Sequence, residues 1–250
     1  MPVRIVRMTS PTDLRSDSAR SGADDACPGV PEHWACTYDA AGWSVRDTAS
    51  RLGPLRVDFA TGALAYRRAH GRDSQRGLGR ATGKANPDDP TLIDATGGLG
   101  KDGFILACLG WRVTLLERSP LLAGLLADGV ARGRHDARIG LICRRMRVLH
   151  QEATHYLEGL ASTARPRVVY LDPMYPVDPG SALPGREMQY LRRLLGDAPS
   201  DPRLLAAARA AAKERVVVKR PAGAQPLSDM LPTHVIRMGG TRYDVYLTRS

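Results

Sequence analysis

From residue 91 onward, short apolar segments alternate with stretches of helical periodicity, and this alternation constrains the fold more than any other feature. Strands are predicted at residues 91–95, 112–117, 147–150, 167–172, 215–219, 234–238 and 243–247. Helices are predicted between the first five strands, at residues 102–109, 120–132 and 154–162 and at two places between Asp172 and Arg215. Because apolar strands separated by helices form parallel sheets covered on both faces, the sequence predicts a Rossmann-like α/β fold.

The last two predicted strands are connected differently from the first five. Only residues 239–242, Gly-Gly-Thr-Arg, separate them, which is too short for a crossover helix, so they are expected to form an antiparallel hairpin. The result is a mostly parallel seven-stranded sheet with a C-terminal antiparallel hairpin. This is the layout of the class I S-adenosylmethionine-dependent methyltransferase fold, and we assign that domain to residues 87–250.

The N-terminal third of the chain has a different pattern. Residues 1–30 are rich in Ser, Asp, Arg and Pro without a sustained period, and they predict a flexible lead. Residues 31–86 predict a small β-rich subdomain with an Arg/Gly-rich connection, because short alternating segments at 42–46, 55–59 and 62–66 precede a Gly/Arg-rich stretch at 71–84. The sequence Asn86-Pro-Asp-Asp-Pro90 marks the boundary with the larger domain.

Charge and composition indicate the class of partner. The net charge is +10 and the pI is near 9.9, which favours a polyanionic partner, with nucleic acid ahead of membrane. No apolar run approaches the length needed to cross a bilayer, and the N-terminus lacks the apolar core of a secretory signal, so we expect a cytoplasmic protein. The four cysteines are widely spaced and the histidines lack ligand-like spacing, so no metal site is predicted. The oligomeric state stays open.

A glycine-rich segment lies between the first predicted strand and its helix. It reads Asp94-Ala-Thr-Gly97-Gly98-Leu-Gly100-Lys101-Asp102, and its glycines let a ligand approach the backbone at a helix N-terminus. A dinucleotide site requires GxGxxG, which is matched only in part, and a phosphate-binding P-loop requires Ser or Thr where this chain has Asp102. S-adenosylmethionine carries an amino group as well as a carboxylate, and the acidic residues Asp94 and Asp102 favour that third ligand.

Two further acidic residues follow predicted strands. Glu117 ends the second strand, where an acid can bind both ribose hydroxyls of an adenosine, and this role is favoured over that of a solvent-facing glutamate at a strand end. After the third strand, the segment 150–154 lies where the adenine edge would rest. Glu152 there could accept from the adenine amine, while helix N-capping by Thr154 is an equally ordinary use of the segment.

The fourth predicted strand ends in Leu171-Asp172-Pro173-Met174-Tyr175-Pro176. This string places a carboxylate, a rigid turn and an aromatic ring at one strand end. Asp172 or the carbonyls of its turn can accept from an exocyclic amine, Pro173 fixes the turn, and Tyr175 can stack on a base turned out of its helix. Packing of Tyr175 against Pro176 is the alternative. The string predicts chemistry on the amine of a nucleobase.

Basic residues before and within the larger domain are candidates for contact with nucleic acid phosphates. The candidates are Arg67, Arg68, Arg72, Arg76, Lys219 and Arg220. The arginines cluster on a segment expected to be a mobile loop, where they could equally be solvated. For Lys219 and Arg220, which follow the fifth strand, a solvated strand end is the alternative interpretation.

Seven segments together carry a family resemblance. They are Val57-Asp-Phe-x-x-Gly-Ala-x-Ala-Tyr-Arg-Arg68, Asp94-Ala-Thr-Gly-Gly-Leu-Gly-Lys-Asp102, Leu116-Glu-Arg-Ser-Pro120, Leu125-Leu-Ala-Asp-Gly129, Val169-Tyr-Leu-Asp-Pro-Met-Tyr-Pro176, Arg186-Glu-Met188 and Arg215-Val-Val-Val-Lys-Arg-Pro221. In these segments the chain resembles the J-type small-subunit ribosomal RNA (guanine-N2)-methyltransferases, the RsmJ family.

The resemblance implies S-adenosylmethionine as the methyl donor and N2 of one guanosine in 16S rRNA, free or in the small ribosomal subunit, as the acceptor. It also implies a set of cofactor contacts at Lys101, Asp102, Glu117, Arg118, Ala153, Thr154 and Asp172. Two other functions stay open at this stage: an amino-methyltransferase of the same fold acting on tRNA, DNA or an adenine N6, and a non-catalytic RNA-binding protein. An NAD oxidoreductase is disfavoured because no hydride-transfer partner is evident.

Overall fold

The structure is a computed structural model that describes residues 33–61, 72–174, 185–196 and 201–248. The predicted N-terminal lead, the segment 62–66, Arg67, Arg68 and Tyr175 lie outside the described residues. The strands are β1 (Trp34–Asp39), β2 (Gly42–Asp47), β3 (Thr91–Asp94), β4 (Arg112–Glu117), β5 (Met146–His150), β6 (Val168–Leu171), β7 (Arg215–Pro221), β8 (His234–Met238) and β9 (Thr241–Leu247). The helices are α1 (Arg72–Thr82), α2 (Lys101–Cys108), α3 (Pro120–Gly133), α4 (Gly140–Cys143), α5 (Ala153–Glu158), α6 (Arg186–Leu195) and α7 (Leu204–Ala211).

Strands β3 to β9 form one seven-stranded sheet in the order β5-β4-β3-β6-β7-β9-β8. The first five strands in this order pair in parallel, and β9 pairs antiparallel with both β7 and β8. The mostly parallel sheet and the C-terminal hairpin, predicted from the sequence, are therefore confirmed, and the order is that of the class I methyltransferase fold. The strand order reverses between β3 and β6, and ligands of open α/β sheets bind at such a switch point.

Strands β1 and β2 form a separate antiparallel hairpin that packs on α3 and α6. Trp34 and Val45 of the hairpin belong to the same hydrophobic cluster as Leu122 and Leu126 of α3. The backbone amide of Trp43 donates to Asp128 Oδ2 of α3 at 3.2 Å. The hairpin thus buries its apolar face on the helices that cover the main sheet. The division of the chain at residues 30 and 86 stays a prediction.

The predicted strand at residues 55–59 is wrong. Only Leu55 makes an isolated bridge, to Val45, although Leu55, Val57 and Phe59 are buried with the period of two that suggested a strand. These side chains pack against α2 and α3, and the carbonyl of Val57 accepts from the guanidinium of Arg132 on α3. The Arg132 side chain therefore satisfies a backbone carbonyl that a partner strand would bond in a sheet.

The Gly/Arg-rich connection is also different from the prediction, because residues 72–82 form helix α1 rather than a loop. Leu78 and Ala81 are fully buried, and a Cβ on Gly77 would come within 2.5 Å of Met238 Cγ on β8. Two glycines lower the intrinsic helix propensity of this segment, but packing on the C-terminal hairpin outweighs that preference. No helix within the described residues is long and apolar enough to span a membrane.

Candidate active site

A cleft of about 620 Å³ opens at the carboxyl ends of the parallel strands. The glycine-rich loop after β3, the ends of β4 and β6 and the start of α6 line it. Its charged lining residues are Asp94, Lys101, Asp102, Glu117, Arg118, Glu152, Asp172, Arg186, Glu187, Asp201 and Lys219. Most of the residues that the sequence predicts for a cofactor site thus meet in one cleft, although they lie up to 78 positions apart in the chain.

The glycine-rich loop follows the sheet edge closely before it enters α2. The amide of Gly97 donates to the carbonyl of Leu116 at 2.8 Å, and a Cβ at Gly97 would stand 3.0 Å from that oxygen. Gly100, the N-cap residue of α2, has a φ of +71°, in the left-handed region that favours glycine. The loop therefore needs its glycines both for close approach and for its turn into the helix.

Glu117 holds this loop from the end of β4. Its Oε2 accepts from the amide of Gly98 at 2.8 Å, and its Oε1 accepts from the amide of Ser119 at 2.7 Å. The residue is 6% exposed, and burial raises the pKa of its carboxyl although both amides oppose that shift. Since each carboxylate oxygen has a second lone pair, Glu117 can still accept from hydroxyl groups in the cleft. The interpretation of Glu117 as a solvent-facing residue is wrong.

The segment after β5 caps helix α5. Glu152 is the N-cap residue, and its carboxylate accepts from the amides of Thr154 at 3.0 Å and His155 at 2.8 Å. Burial opposes this charge, but the two amides outweigh it and lower the pKa of Glu152. The cap is therefore Glu152 and not Thr154. Ala153 lines the cleft, whereas Thr154 is fully buried and is not among the lining residues.

Four charged side chains form a compact network at the ends of β3, β6 and β7 and the start of α2. Lys219 Nζ of β7 lies 2.6 Å from Asp102 Oδ2 and 2.8 Å from Asp172 Oδ2. The hydroxyl of Tyr170 also donates to Asp102 Oδ2, at 2.7 Å. Asp94, at the end of β3, is 2% exposed and completes the group. Three carboxylates and one ammonium thus face one part of the cleft.

Burial and mutual repulsion shift the ionisation of this network. Burial, together with the charges of Asp102 and Asp172, raises the pKa of Asp94 to about 7. Burial also raises the pKa of Asp172, with Asp102 adding to the shift and Lys219 opposing it. Burial disfavours the Lys219 ammonium, but the carboxylates of Asp102 and Asp172 outweigh it, so its pKa is raised. Perturbed ionisation in a cleft is typical of functional sites.

The Asp172 turn is tied to the glycine-rich loop by Thr96. The amide of Asp172 donates to Thr96 Oγ1 at 2.6 Å, and the amide of Thr96 donates to Asp94 Oδ1 at 3.1 Å. Pro173 is buried directly after Asp172, and both line the cleft. Thr96 therefore links the predicted acceptor Asp172 to Asp94 of the predicted cofactor loop through two hydrogen bonds. The role of Tyr175 stays a prediction.

Helix α6 covers the cleft from the other side. Glu187 forms an ion pair with Lys101 at the start of α2, and Met188, Leu191 and Leu195 line the cleft. The opposite face of α6 is anchored on the N-terminal hairpin and its following loop. There the hydroxyl of Tyr190 donates to the carbonyls of Leu52 and Gly53 at 3.1 and 2.5 Å, and Arg193 pairs with Asp47 of β2 at 2.7 Å.

The predicted RNA-contact residues do not form one group. Arg76 is exposed on α1, and Arg72 begins the same helix, so the expectation of a loop there is corrected to a helix. Lys219 lies in the cleft among carboxylates. Arg220 is 5% exposed, and its guanidinium donates to the carbonyl of Gln225, which leaves it no access to a phosphate. Neither residue is a solvated strand end.

Sequence reasoning missed Thr96, Tyr170 and Glu187 and misjudged Lys219. A signal for Lys219 was present, because the predicted strands 167–172 and 215–219 end on Asp172 and Lys219. Aligning the carboxyl ends of these two neighbouring strands would have brought the two side chains together. No comparable pattern links Lys101 to Glu187, which are 86 positions apart and meet only across the cleft.

Comparison with known proteins agrees with this geometry. The family model described as "Putative SAM-dependent methyltransferase" matches residues 34–248. Ribosomal RNA small subunit methyltransferase J of Thioalkalivibrio sulfidiphilus is 48% identical over 211 residues, which cover 84% of this chain and 83% of that protein. The protein of the same name from Pseudomonas fluorescens strain Pf-5 is 45% identical over 194 residues, covering 78% and 74%.

A solved structure extends the comparison to the fold. The crystal structure of a SAM-dependent methyltransferase from Neisseria gonorrhoeae matches with a TM-score of 0.68 and 34% sequence identity, covering 88% of this chain and 85% of that one. These matches confirm the resemblance found in the sequence and identify S-adenosylmethionine as the cofactor. The chain belongs to the ribosomal RNA small subunit methyltransferase J family of SAM-dependent methyltransferases.

Proposed function

We propose that this protein methylates the exocyclic N2 of a guanosine in 16S rRNA of the small ribosomal subunit, with S-adenosylmethionine as donor. The observation that carries the proposal is the position of Asp172, which projects into the cleft at the end of β6 beside the glycine-rich loop. The names of the 48% and 45% identical relatives support small-subunit ribosomal RNA as the substrate. Such a substrate implies action in the cytoplasm.

The residues of the cleft fit the cofactor. The glycines leave open backbone next to the Glu117 carboxylate, which suits the ribose hydroxyls, and Arg118 and Ala153 line the adjoining wall. Asp94, Asp102 and Lys101 lie at the start of α2, where a group with ammonium, sulfonium and carboxylate charges finds opposite charges. When bound, S-adenosylmethionine supplies an activated methyl group that a nitrogen nucleophile takes by in-line displacement.

The chain's own residues have to compensate for a weak nucleophile. The N2 lone pair of guanine is delocalised into the ring, so catalysis comes from positioning and from hydrogen bonds that strengthen as positive charge grows on the nitrogen. Asp172, or the carbonyls of its turn, accepts from N2–H and stabilises that charge. Pro173 fixes the turn, and Tyr175 stacks on the base turned out of its helix. No specific observation favours tRNA, DNA or an adenine amine as the acceptor.

The test is transfer of labelled methyl from S-adenosylmethionine to small-subunit rRNA and to small subunits from a strain that lacks this gene. Digestion to nucleosides identifies the acceptor. We expect label in N2-methylguanosine, and comparison of naked rRNA with assembled particles identifies the form of the substrate. Label in another nucleoside would show that this chain is a methyltransferase with a different acceptor. Failure to bind the cofactor would overturn the methyltransferase assignment for this chain.

A further inference from the structure

Lys219 lies next to the proposed acceptor Asp172 but has no role of its own in the proposed reaction. The parallel pairing of β6 with β7 sets Leu171 opposite Val218, so the next residues, Asp172 just past the end of β6 and Lys219 within β7, lie side by side. Lys219 Nζ bridges Asp172 Oδ2 and Asp102 Oδ2, at 2.8 and 2.6 Å. It therefore connects the proposed substrate acceptor with a carboxylate at the start of the cofactor-side helix α2.

We infer that Lys219 is a positioning residue that holds the Asp172 carboxylate ionised and turned toward the attacking amine. This inference rests on the proposed function. Lys219 engages one oxygen of Asp172 and leaves Oδ1 to accept from the guanine amine. The Asp172 side chain is 38% exposed toward the cleft, so the substrate can reach it while it stays bound to Lys219.

The charges around Asp172 explain why an ammonium is needed there. Asp102 of α2 and Asp94 of β3 present two further carboxylates, and among the described residues the hydroxyl of Tyr170 on β6, with Tyr243 of β9 beside it, also faces this group. Carboxylates that share a partly buried site cannot all ionise without a cation. Without Lys219, a proton would be shared among them, and a protonated Asp172 is a poorer acceptor for an N–H group.

Lys219 also has a geometric effect that a distant cation would not have. The salt bridge to Asp102 is itself braced, because the hydroxyl of Tyr170 donates to the same oxygen. Because the Lys219 ammonium is fixed between Asp102 of α2 and Asp172 after β6, it sets the direction of the Asp172 carboxylate relative to α2, whose first turn lines the proposed cofactor site. Small errors in such a direction cost large factors in rate.

The experiment compares Lys219→Met with Lys219→Arg in the intact protein. For Lys219→Met we expect kcat for methyl transfer to fall about tenfold to a hundredfold, as when one preorganised charged contact is lost. The acidic limb of the kcat–pH profile should move upward by about one pH unit or more, because an opposite charge next to Asp172 has been removed. The Kd for S-adenosylmethionine should stay within about threefold, because the proton shared among the carboxylates offsets the lost charge of the ammonium.

Lys219→Arg keeps the positive charge, so the acidic limb of its kcat–pH profile should lie at the wild-type position, even if the larger guanidinium lowers kcat. The matched control is Lys213→Met, which removes a lysine paired with Asp89 at 2.9 Å outside the cleft and should leave the profile unchanged. Cofactor binding by each variant reports whether the site is folded. An unmoved acidic limb in Lys219→Met, or a loss of cofactor affinity in step with kcat, would overturn the inference. Failure of the wild-type protein to form N2-methylguanosine would instead overturn the proposed function.

Discussion

The two walls of the cleft are built in different ways. The floor consists of the carboxyl-terminal parts of β3, β4, β6 and β7. Asp94 and Glu117 are the last residues of their strands, Asp172 follows β6, and Lys219 lies within β7. The roof is helix α6, which is held in place by side-chain contacts. On one face Glu187 pairs with Lys101; on the other, Tyr190 donates to the carbonyl of Gly53 after the N-terminal hairpin, and Arg193 pairs with Asp47 of β2. Backbone register fixes the floor, whereas contacts between segments far apart in the sequence fix the roof.

This difference suggests a division of roles, in which the floor carries the groups proposed for the reaction and the roof covers the cleft. Groups that must keep their direction within a fraction of an ångström lie on strand ends, where neighbouring strands and the Thr96 relay restrict them. The roof contributes mainly apolar side chains to the cleft, and the buried Tyr190 holds it on the loop that follows the N-terminal hairpin. We therefore expect substitutions in the floor to change rate and cofactor binding, and substitutions in the roof to change mainly stability.

The largest effect is expected for Asp172→Ala in the floor. Loss of the acceptor should lower kcat about a hundredfold or more, with a much smaller change in the Kd for S-adenosylmethionine. Single-turnover methyl transfer and equilibrium cofactor binding measure the two quantities separately. Asp172→Asn, which keeps an acceptor oxygen, is the control and should retain more activity than the alanine variant. Near-normal turnover in Asp172→Ala would remove this residue from the chemistry.

A second prediction concerns Asp94 and pH. Because its pKa is about 7 in the free protein, Asp94 is mostly protonated at pH 5.5 and about half ionised at pH 7. The ionised form attracts the positively charged cofactor, so affinity should rise roughly tenfold over that interval and binding should release a proton. Calorimetry in two buffers of different ionisation enthalpy measures both. Asp94→Asn should flatten the dependence, and an unchanged slope in that variant would assign the proton to another group.

The comparison predicts a smaller and different effect for Tyr190→Phe in the roof. Without the hydroxyl, the partly buried carbonyls of Leu52 and Gly53 lose a donor, which should lower the free energy of unfolding by about 1 kcal/mol. Urea denaturation measures this loss, and Tyr38→Phe, at an exposed tyrosine of β1, is the control. A fall in kcat as large as that of Asp172→Ala would mean that roof and floor share the chemistry.

The smallest effect is expected for Arg76→Ala, on α1 and outside both walls. If the exposed guanidinium meets a phosphate of the RNA, its loss should weaken binding and reduce the slope of log K against log salt by about one, with kcat unchanged. RNA binding at several salt concentrations tests this. Arg138→Ala, at an exposed arginine paired with Asp136, is a matched control. Equal slopes for wild type and Arg76→Ala would exclude the contact.

The sequence anticipated the floor because its pattern is local. Apolar runs, glycines and strand-end acids appear next to one another in the chain, and parallel pairing brings strand ends to one edge whatever the helices between them contain. The string of Asp172 and Pro173 and the loop from Asp94 to Asp102 are therefore recognisable from the order of residues alone. The errors fell where partners are non-local: α1, which packing on β8 makes helical despite Gly77, and the segment 55–59, whose carbonyl partner is Arg132.

The sequence by itself determined the fold class, the family, the glycine-rich loop and the strand-end acids, since these follow from periodicity and short motifs. Only the tertiary structure decided that Glu152 caps α5, that Arg220 is buried, and that Lys219 joins Asp102 to Asp172. The physical reason is that the ionisation and direction of a side chain depend on charges and burial supplied by other elements. Those neighbours come together only when the sheet is assembled.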